Sequence, residues 1–139
     1  MTTSNLYLPN QGALSDLAGW IAGDLGSALV RLYENSVPYL PTNTCGDYTQ
    51  CSFVGYAPVG PVVWGAPYIN GTGQAETDSP PLMWSFTAGS GTALVNGIYV
   101  TDTGLTQLLL VIPFITPITL DPANPNLNQV IQLTEISQI

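Results

Sequence analysis

Apolar and polar positions along the chain divide it into short β segments gathered around one predicted hairpin. Val95–Asp102 and Leu105–Ile112 are runs rich in Ile, Val, Leu, Tyr and Thr, and Thr103-Gly104 interrupts them. That composition predicts two antiparallel strands, with Gly104 supplying the positive φ of a tight turn. Leu108 to Ile112 are consecutively apolar and abandon strict alternation. A strand of this kind is expected to be covered on both faces, at the centre of a sandwich or in a subunit interface.

The remaining pattern supports the same class. Residues 1–12 read as an extended arm in which Leu6, Tyr7 and Leu8 alternate before Pro9-Asn10. Exposed apolar residues on such an arm call for a docking partner. Ala13–Ala22 is the one predicted helix, with Leu14, Leu17, Ala18 and Ile21 forming an apolar stripe. Strands are predicted at Ala28–Glu34, Ser52–Ala57, Gln74–Asp78, Leu82–Ala88, Thr116–Leu120 and Gln129–Ile136, in addition to the hairpin. Val59–Ile69 contains Pro61 and Pro67 and is at best an edge or irregular strand. Asn35–Asn43, Asn70–Gly73, Gly89–Gly91 and Asp121–Asn128 read as loops or turns. About eight short strands with regular turn signals predict an all-β fold, an antiparallel β-sandwich or jelly roll. The expected organisation is an arm and short helix over residues 1–26, followed by a β-sandwich over residues 27–139.

Charge changes the picture most. Of 139 residues only 7% are charged, against a usual ~25%, while 45% are apolar. Arg31 is the only basic side chain, no Lys or His is present, and the net charge is −8. Nucleic-acid partners are not expected, because there is no cationic surface to displace phosphate counterions. Anionic membranes are disfavoured for the same reason. The longest apolar run, Leu108–Ile115, contains Pro113 and is far short of the ~20 residues of a membrane span. Met1–Asn5 has no basic region and no apolar stretch follows, so no secretory signal is expected.

Candidate chemistry is sparse. A nucleophilic triad has no His to act as base. Glu76 and Asp78 fall on one face of a strand, and Asp102 and Asp121 are a second carboxylate combination; glycosidases need such a pair. Solvated carboxylates are the competing account. Asp121, Asn124, Asn126 and Asn128 offer calcium-type oxygens but lack the Gly and closing Glu of an EF-hand loop. Gly89-Ser90-Gly91-Thr92 lacks the Lys of a phosphate loop and reads as a hairpin turn. Trp20, Trp64, Trp84, Tyr56, Tyr68 and Tyr99 suit either a sugar-stacking platform or a core. Asn70-Gly71-Thr72 matches a glycosylation sequon but also a simple turn. Cys45 and Cys51 are a candidate disulfide, worth about 2.4 kcal/mol if unstrained, or a pair of free thiols. Zinc would lack two further ligands. No catalytic residue, cofactor or metal is expected, and the chain is not expected to be an enzyme.

A resemblance gives these features a context. Leu6–Gly12 leads into a short helix and then Leu29-Val30-Arg31-Leu32-Tyr33-Glu34-Asn35; Gly55-Tyr56-Ala57-Pro58-Val59, Trp64-Gly65 and Asn96–Asp102 follow. This order resembles a family of small structural proteins of tailed bacteriophages, encoded among the head genes. The Cys45–Cys51 loop, the Pro-rich Val59–Ile69 segment and the apolar run Leu108–Ile115, where the pattern calls for a more polar segment, depart from it. The resemblance implies a virion component, made in the host cytoplasm and carried on the outer surface of the capsid. Its role would be that of a cement or decoration protein, or the base of a head fibre. It implies the major capsid protein as partner and a homo-oligomer, with a trimer as the expected state. The interface is expected at Leu6, Tyr7 and Leu8 and at Leu108, Leu109, Leu110, Val111 and Ile112. The rival expectation is a carbohydrate-binding or adhesin module that attaches a particle to host glycans.

Overall fold

The computed structural model describes residues 9–135. Leu6, Tyr7 and Leu8 lie outside the described residues. Within them the chain forms one α-helix, α1 (Asn10–Ala22), and eight strands. These are β1 (Leu29–Tyr33), β2 (Tyr68–Ile69), β3 (Ala75–Asp78), β4 (Leu82–Ser85), β5 (Ala93–Thr101), β6 (Leu108–Leu120), β7 (Asn126–Gln129) and β8 (Gln132–Glu135). They pair into three small antiparallel sheets, ordered β1-β5-β6, β2-β3-β8 and β4-β7, and no sheet closes on itself.

The main hydrophobic core lies between two of the sheets, with Leu133 of β8 half-buried at its margin. Val30 and Leu32 of β1, Val95, Ile98 and Val100 of β5 and Leu120 of β6 meet Leu82 and Trp84 of β4 and Leu127 of β7. β-Branched residues dominate β5 because a pleated strand packed on both faces suits their stiff side chains. The opposite face of β1 and β5 carries a second cluster, Tyr33, Tyr48 and Tyr99. Tyr48 stacks on Tyr99 at 5.4 Å between ring centroids, and Tyr33 meets Tyr48 edge-on at 4.9 Å. Gly97 makes room for this: a Cβ there would sit 2.5 Å from the Tyr33 hydroxyl and 2.6 Å from the Ile112 carbonyl oxygen. Arg31 is buried beside the cluster, donating to Thr101 Oγ1 at 2.9 Å and to Gln50 Oε1 at 2.8 Å. The chain's one basic side chain is therefore committed to neutral partners inside the fold.

The predicted hairpin forms, with Val100 opposite Leu110 and Ile98 opposite Ile112. Two details differ from expectation. The residue with positive φ in the turn is Leu105, at 57°, and not Gly104. Asp102 sets this geometry: its Oδ1 accepts from the N–H groups of Thr106 at 2.7 Å and Gln107 at 2.9 Å. The Leu105 N–H donates to the Asp102 carbonyl at 3.3 Å, so the left-handed step falls one residue later. The second difference concerns Leu108–Ile112. β5, not β6, is the strand covered on both sides, and all five residues of the run are only half-buried.

β6 also absorbs the segment expected to be a separate strand at Thr116–Leu120. Between the pairs Val95–Ile118 and Gly97–Pro113, Asn96 alone faces Phe114 to Pro117, and this bulge leaves Ile115 fully exposed. β7 falls where a Pro/Asn loop is predicted, because Asn126–Gln129 pairs with β4. Ser52–Ala57 is not a strand; the Tyr56 N–H closes a turn onto Phe53 O at 3.0 Å. Gly89–Gly91 links two different sheets and is not a hairpin turn.

The helix begins at Asn10, so the last residues of the expected arm are helical. Its buried residues are Ala13 and Leu17, packed against Ala75 of β3, with Leu14 and Trp20 half-buried beside them. Ala18, assigned to the stripe from the sequence, is exposed, because the contact line runs through positions 13, 17 and 20. After α1, Leu25 enters the main core, where its carbonyl accepts from Trp64 Nε1 at 3.3 Å.

Candidate functional site

The free edge of β6 and the loop beside it enclose a groove on the surface of the described residues. β6 pairs with β5 on one side and with no described strand on the other. In an antiparallel strand, alternate residues turn their N–H and C=O groups away from the partner, so a row of unsatisfied backbone groups faces outward here. Pro113 and Pro117 supply no N–H and confine the pairable stretch to Leu108–Ile112. No charged residue occurs from Leu105 to Leu120.

The loop of residues 34–50 folds over the tyrosine cluster and ends beside this edge. Tyr39, Leu40, Pro41 and Asn43 form one wall, and Leu108–Val111 with Pro113 form the other, around a groove of about 430 Å³. Asn43 fixes the wall: its Nδ2 donates to Pro38 O at 3.0 Å and to the Tyr48 hydroxyl at 3.1 Å. Tyr39 and Leu40 remain more than half exposed. The wall residues were missed in the sequence, where Asn35–Asn43 reads only as a Pro-containing loop. The available signal was Tyr39-Leu40 itself, two large apolar residues in a segment with no strand to bury them.

Within β6, the two faces of the run divide between the two clusters. Leu109, Leu110 and Ile112 pack on the main core, while Leu108 and Val111 pack on the tyrosines. Of the eight residues expected at an interface, Leu108–Ile112 lie together on one edge strand, and Leu6, Tyr7 and Leu8 lie outside the described residues.

The carboxylates separate into distinct settings. Glu76 and Asp78 share one face of β3, and the Tyr68 hydroxyl contacts both, at 2.8 Å from Asp78 Oδ2. Asn70 Nδ2 donates to Glu76 Oε1 at 3.0 Å. The hydrogen bond with Glu76 raises Asp78 above the usual carboxylate range. Hydrogen bonds from Asp78, Tyr68 and Asn70 lower Glu76. The pair holds one proton more readily than two charges, and it pins the Asn70–Gly73 turn to β3. Asp102 and Asp121 do not approach each other: one follows β5 at the hairpin turn, the other follows β6 at the opposite end. Hydrogen bonds in its turn, led by that from the Thr106 hydroxyl, lower Asp102.

The other candidates resolve into structural roles. Asp121 Oδ1 accepts from the N–H groups of Ala123 at 2.9 Å and Asn124 at 2.7 Å, while Asn126 and Asn128 belong to β7. Asn70 Oδ1 accepts from the N–H groups of Thr72 and Gln74, both at 3.0 Å, which is an Asx turn. Trp64, Trp84 and Tyr99 are buried, Trp20 and Tyr56 pack against the core, and only Tyr68 is exposed. These aromatics form no common platform.

Cys45 and Cys51 are free thiols, so the candidate bridge is not formed. Cys51 is turned into the main core, near the Leu94 carbonyl, whereas Cys45 sits in a short 3-10 turn capped by Thr44 and Asp47. Burial pushes the Cys51 thiol up to about 12 and raises Cys45 as well, which suppresses the thiolate that disulfide formation needs. Comparison of the chain with family models, curated proteins and solved structures finds no match.

Proposed function

We propose that this chain is a non-enzymatic structural protein of a phage particle. It binds the outer surface of the head as a decoration or cement protein and stabilises the shell by bridging neighbouring capsid subunits. The observation that carries this reading is the uncharged, proline-free stretch Leu108–Ile112 on the free edge of β6. Free-standing β proteins blunt such edges with charges, and Leu108–Ile112 has none while lying beside an apolar groove. An edge of this kind suits pairing with another chain, with backbone hydrogen bonds for affinity and side-chain pockets for selectivity.

Three further features support the reading. Ile115, Val63 and Val54 expose apolar surface elsewhere on the molecule, suited to contacts across subunit boundaries. A surface almost without basic groups favours neither nucleic acid nor anionic lipid. The two sheets that enclose the main core, β1-β5-β6 and β4-β7, fit an open, sandwich-like body. The adhesin reading loses its main support, since the aromatics proposed to grip sugars are mostly inside the core.

Co-sedimentation tests the proposal. Purified protein mixed with isolated phage heads should pellet with them, saturate at a fixed ratio to the shell subunit, and raise the temperature at which the heads open. Heads that neither retain the protein nor gain heat resistance would contradict the assignment.

A further inference from the structure

We infer that the β6 groove receives the N-terminal segment of a second copy of this chain, added as an extra antiparallel strand. The inference stands on the groove and the sequence alone and does not rest on the phage reading.

The occupant must satisfy three conditions set by the groove. It must be extended, because what the edge offers is a row of backbone donors and acceptors. It must be uncharged, because the wall at Tyr39–Asn43 and the floor at Leu108–Pro113 carry no charge to pair with one. It must have apolar side chains at alternate positions, to fill the space beside Leu40 and Val111. Residues 1–8, Met-Thr-Thr-Ser-Asn-Leu-Tyr-Leu, meet all three: no acidic or basic side chain, and an alternating Leu6-Tyr7-Leu8 end. Pro9 follows, has no N–H, and closes the pairable stretch as Pro113 does on β6.

Length decides between the same chain and a neighbour. Pairing Ser4–Leu8 along Leu108–Ile112 uses about 17 Å at ~3.3 Å per residue. The chain then enters α1 at Asn10, and α1 packs on β2 and β3, in a different sheet from β6. Pro9 alone adds ~3–4 Å of reach, and α1 makes its main strand contacts with β2 and β3 and none of that extent with β6, which favours a second copy as the donor. Each copy then gives one segment and receives one. Such a head-to-tail contact closes into a ring if the rotation permits, and a three-membered ring is the simplest closed form above a dimer.

Complementation between two full-length variants tests this directly. Leu6→Asp with Leu8→Asp spoils the donor segment and leaves the groove intact. Leu40→Asp spoils the groove at an exposed wall residue and leaves the donor intact. The wild-type chain should be oligomeric by light scattering, and each variant should be monomeric with unchanged far-ultraviolet circular dichroism. An equimolar mixture of the two should recover a heterodimer, because one good donor then meets one good groove. A synthetic Met1–Leu8 peptide should bind the donor-spoiled variant and not the Leu40→Asp variant. A monomeric wild type, variants that keep the wild-type mass, or a mixture that forms no heterodimer would each overturn the inference.

Discussion

At the scale of single residues, three positions carry specific consequences. Gly97 lies under the Tyr33 ring, and any Cβ must displace either that ring or the backbone of β6. Gly97→Ala should lower stability by about 1–3 kcal/mol, the usual cost of overpacking, read as a lower midpoint in urea. Leu105 holds a left-handed φ of 57° and is 42% exposed. Leu105→Gly should therefore stabilise the chain by up to about 1 kcal/mol, by relieving the penalty an L side chain meets there. Asp78 provides a pH signature. Its raised value means that its favourable protonated contact is present below the ordinary 3.8 and is lost as pH rises through the raised value. Glu76 behaves oppositely, its contribution lost only as pH falls through a lowered value. Asp78→Asn keeps the uncharged form at every pH. Its melting temperature should gain on the wild type as pH rises above the ordinary 3.8, and a constant difference would count against the shared proton.

At the scale of elements, the sequence reveals strand identity better than strand position. β1, β4 and the β5–β6 hairpin are legible because apolar alternation and β-branched runs are local properties. Leu82, Trp84 and Phe86 turn inward as their spacing requires. What stayed hidden is order within a sheet. Leu108–Ile112 has the composition of a central strand, yet β5 occupies the centre, because β1 pairs across 70 residues of sequence with β5 and not with β6. The helix start was missed because Pro9 and Asn10 look like the end of an extended run, although the Pro9 carbonyl accepts from Ala13 N–H at 2.9 Å. The groove was half-legible: its β6 floor was anticipated as an interface, while its loop wall depends on tertiary contacts through Asn43. Paired truncations measure the distinction. Leu32→Ala, fully buried, should cost about 2–5 kcal/mol. Leu110→Ala, half-buried, should cost less than half as much, whereas equal costs would put β6 at the centre after all.

At the scale of the whole molecule, charge poverty and the open edge belong together. A net charge of −8 repels copies through space, while the edge proposed for pairing, Leu108–Ile112, is uncharged. Added salt should therefore strengthen self-association, by screening repulsion without weakening the apolar contact. A salt-bridged interface would respond in the opposite sense, and sedimentation at low and high ionic strength separates the two. In the assembly we propose, the exposed apolar residues Ile115 and Val63 would stay available for contact with a shell.

The measurement that bears most directly on the central claim is the amount of this chain in purified particles, relative to the major shell subunit. A decoration protein should be present at a fixed, symmetry-related ratio of the same order as the shell subunit. A trace amount would move it to a single vertex or a fibre, and its absence from particles would contradict a virion role altogether.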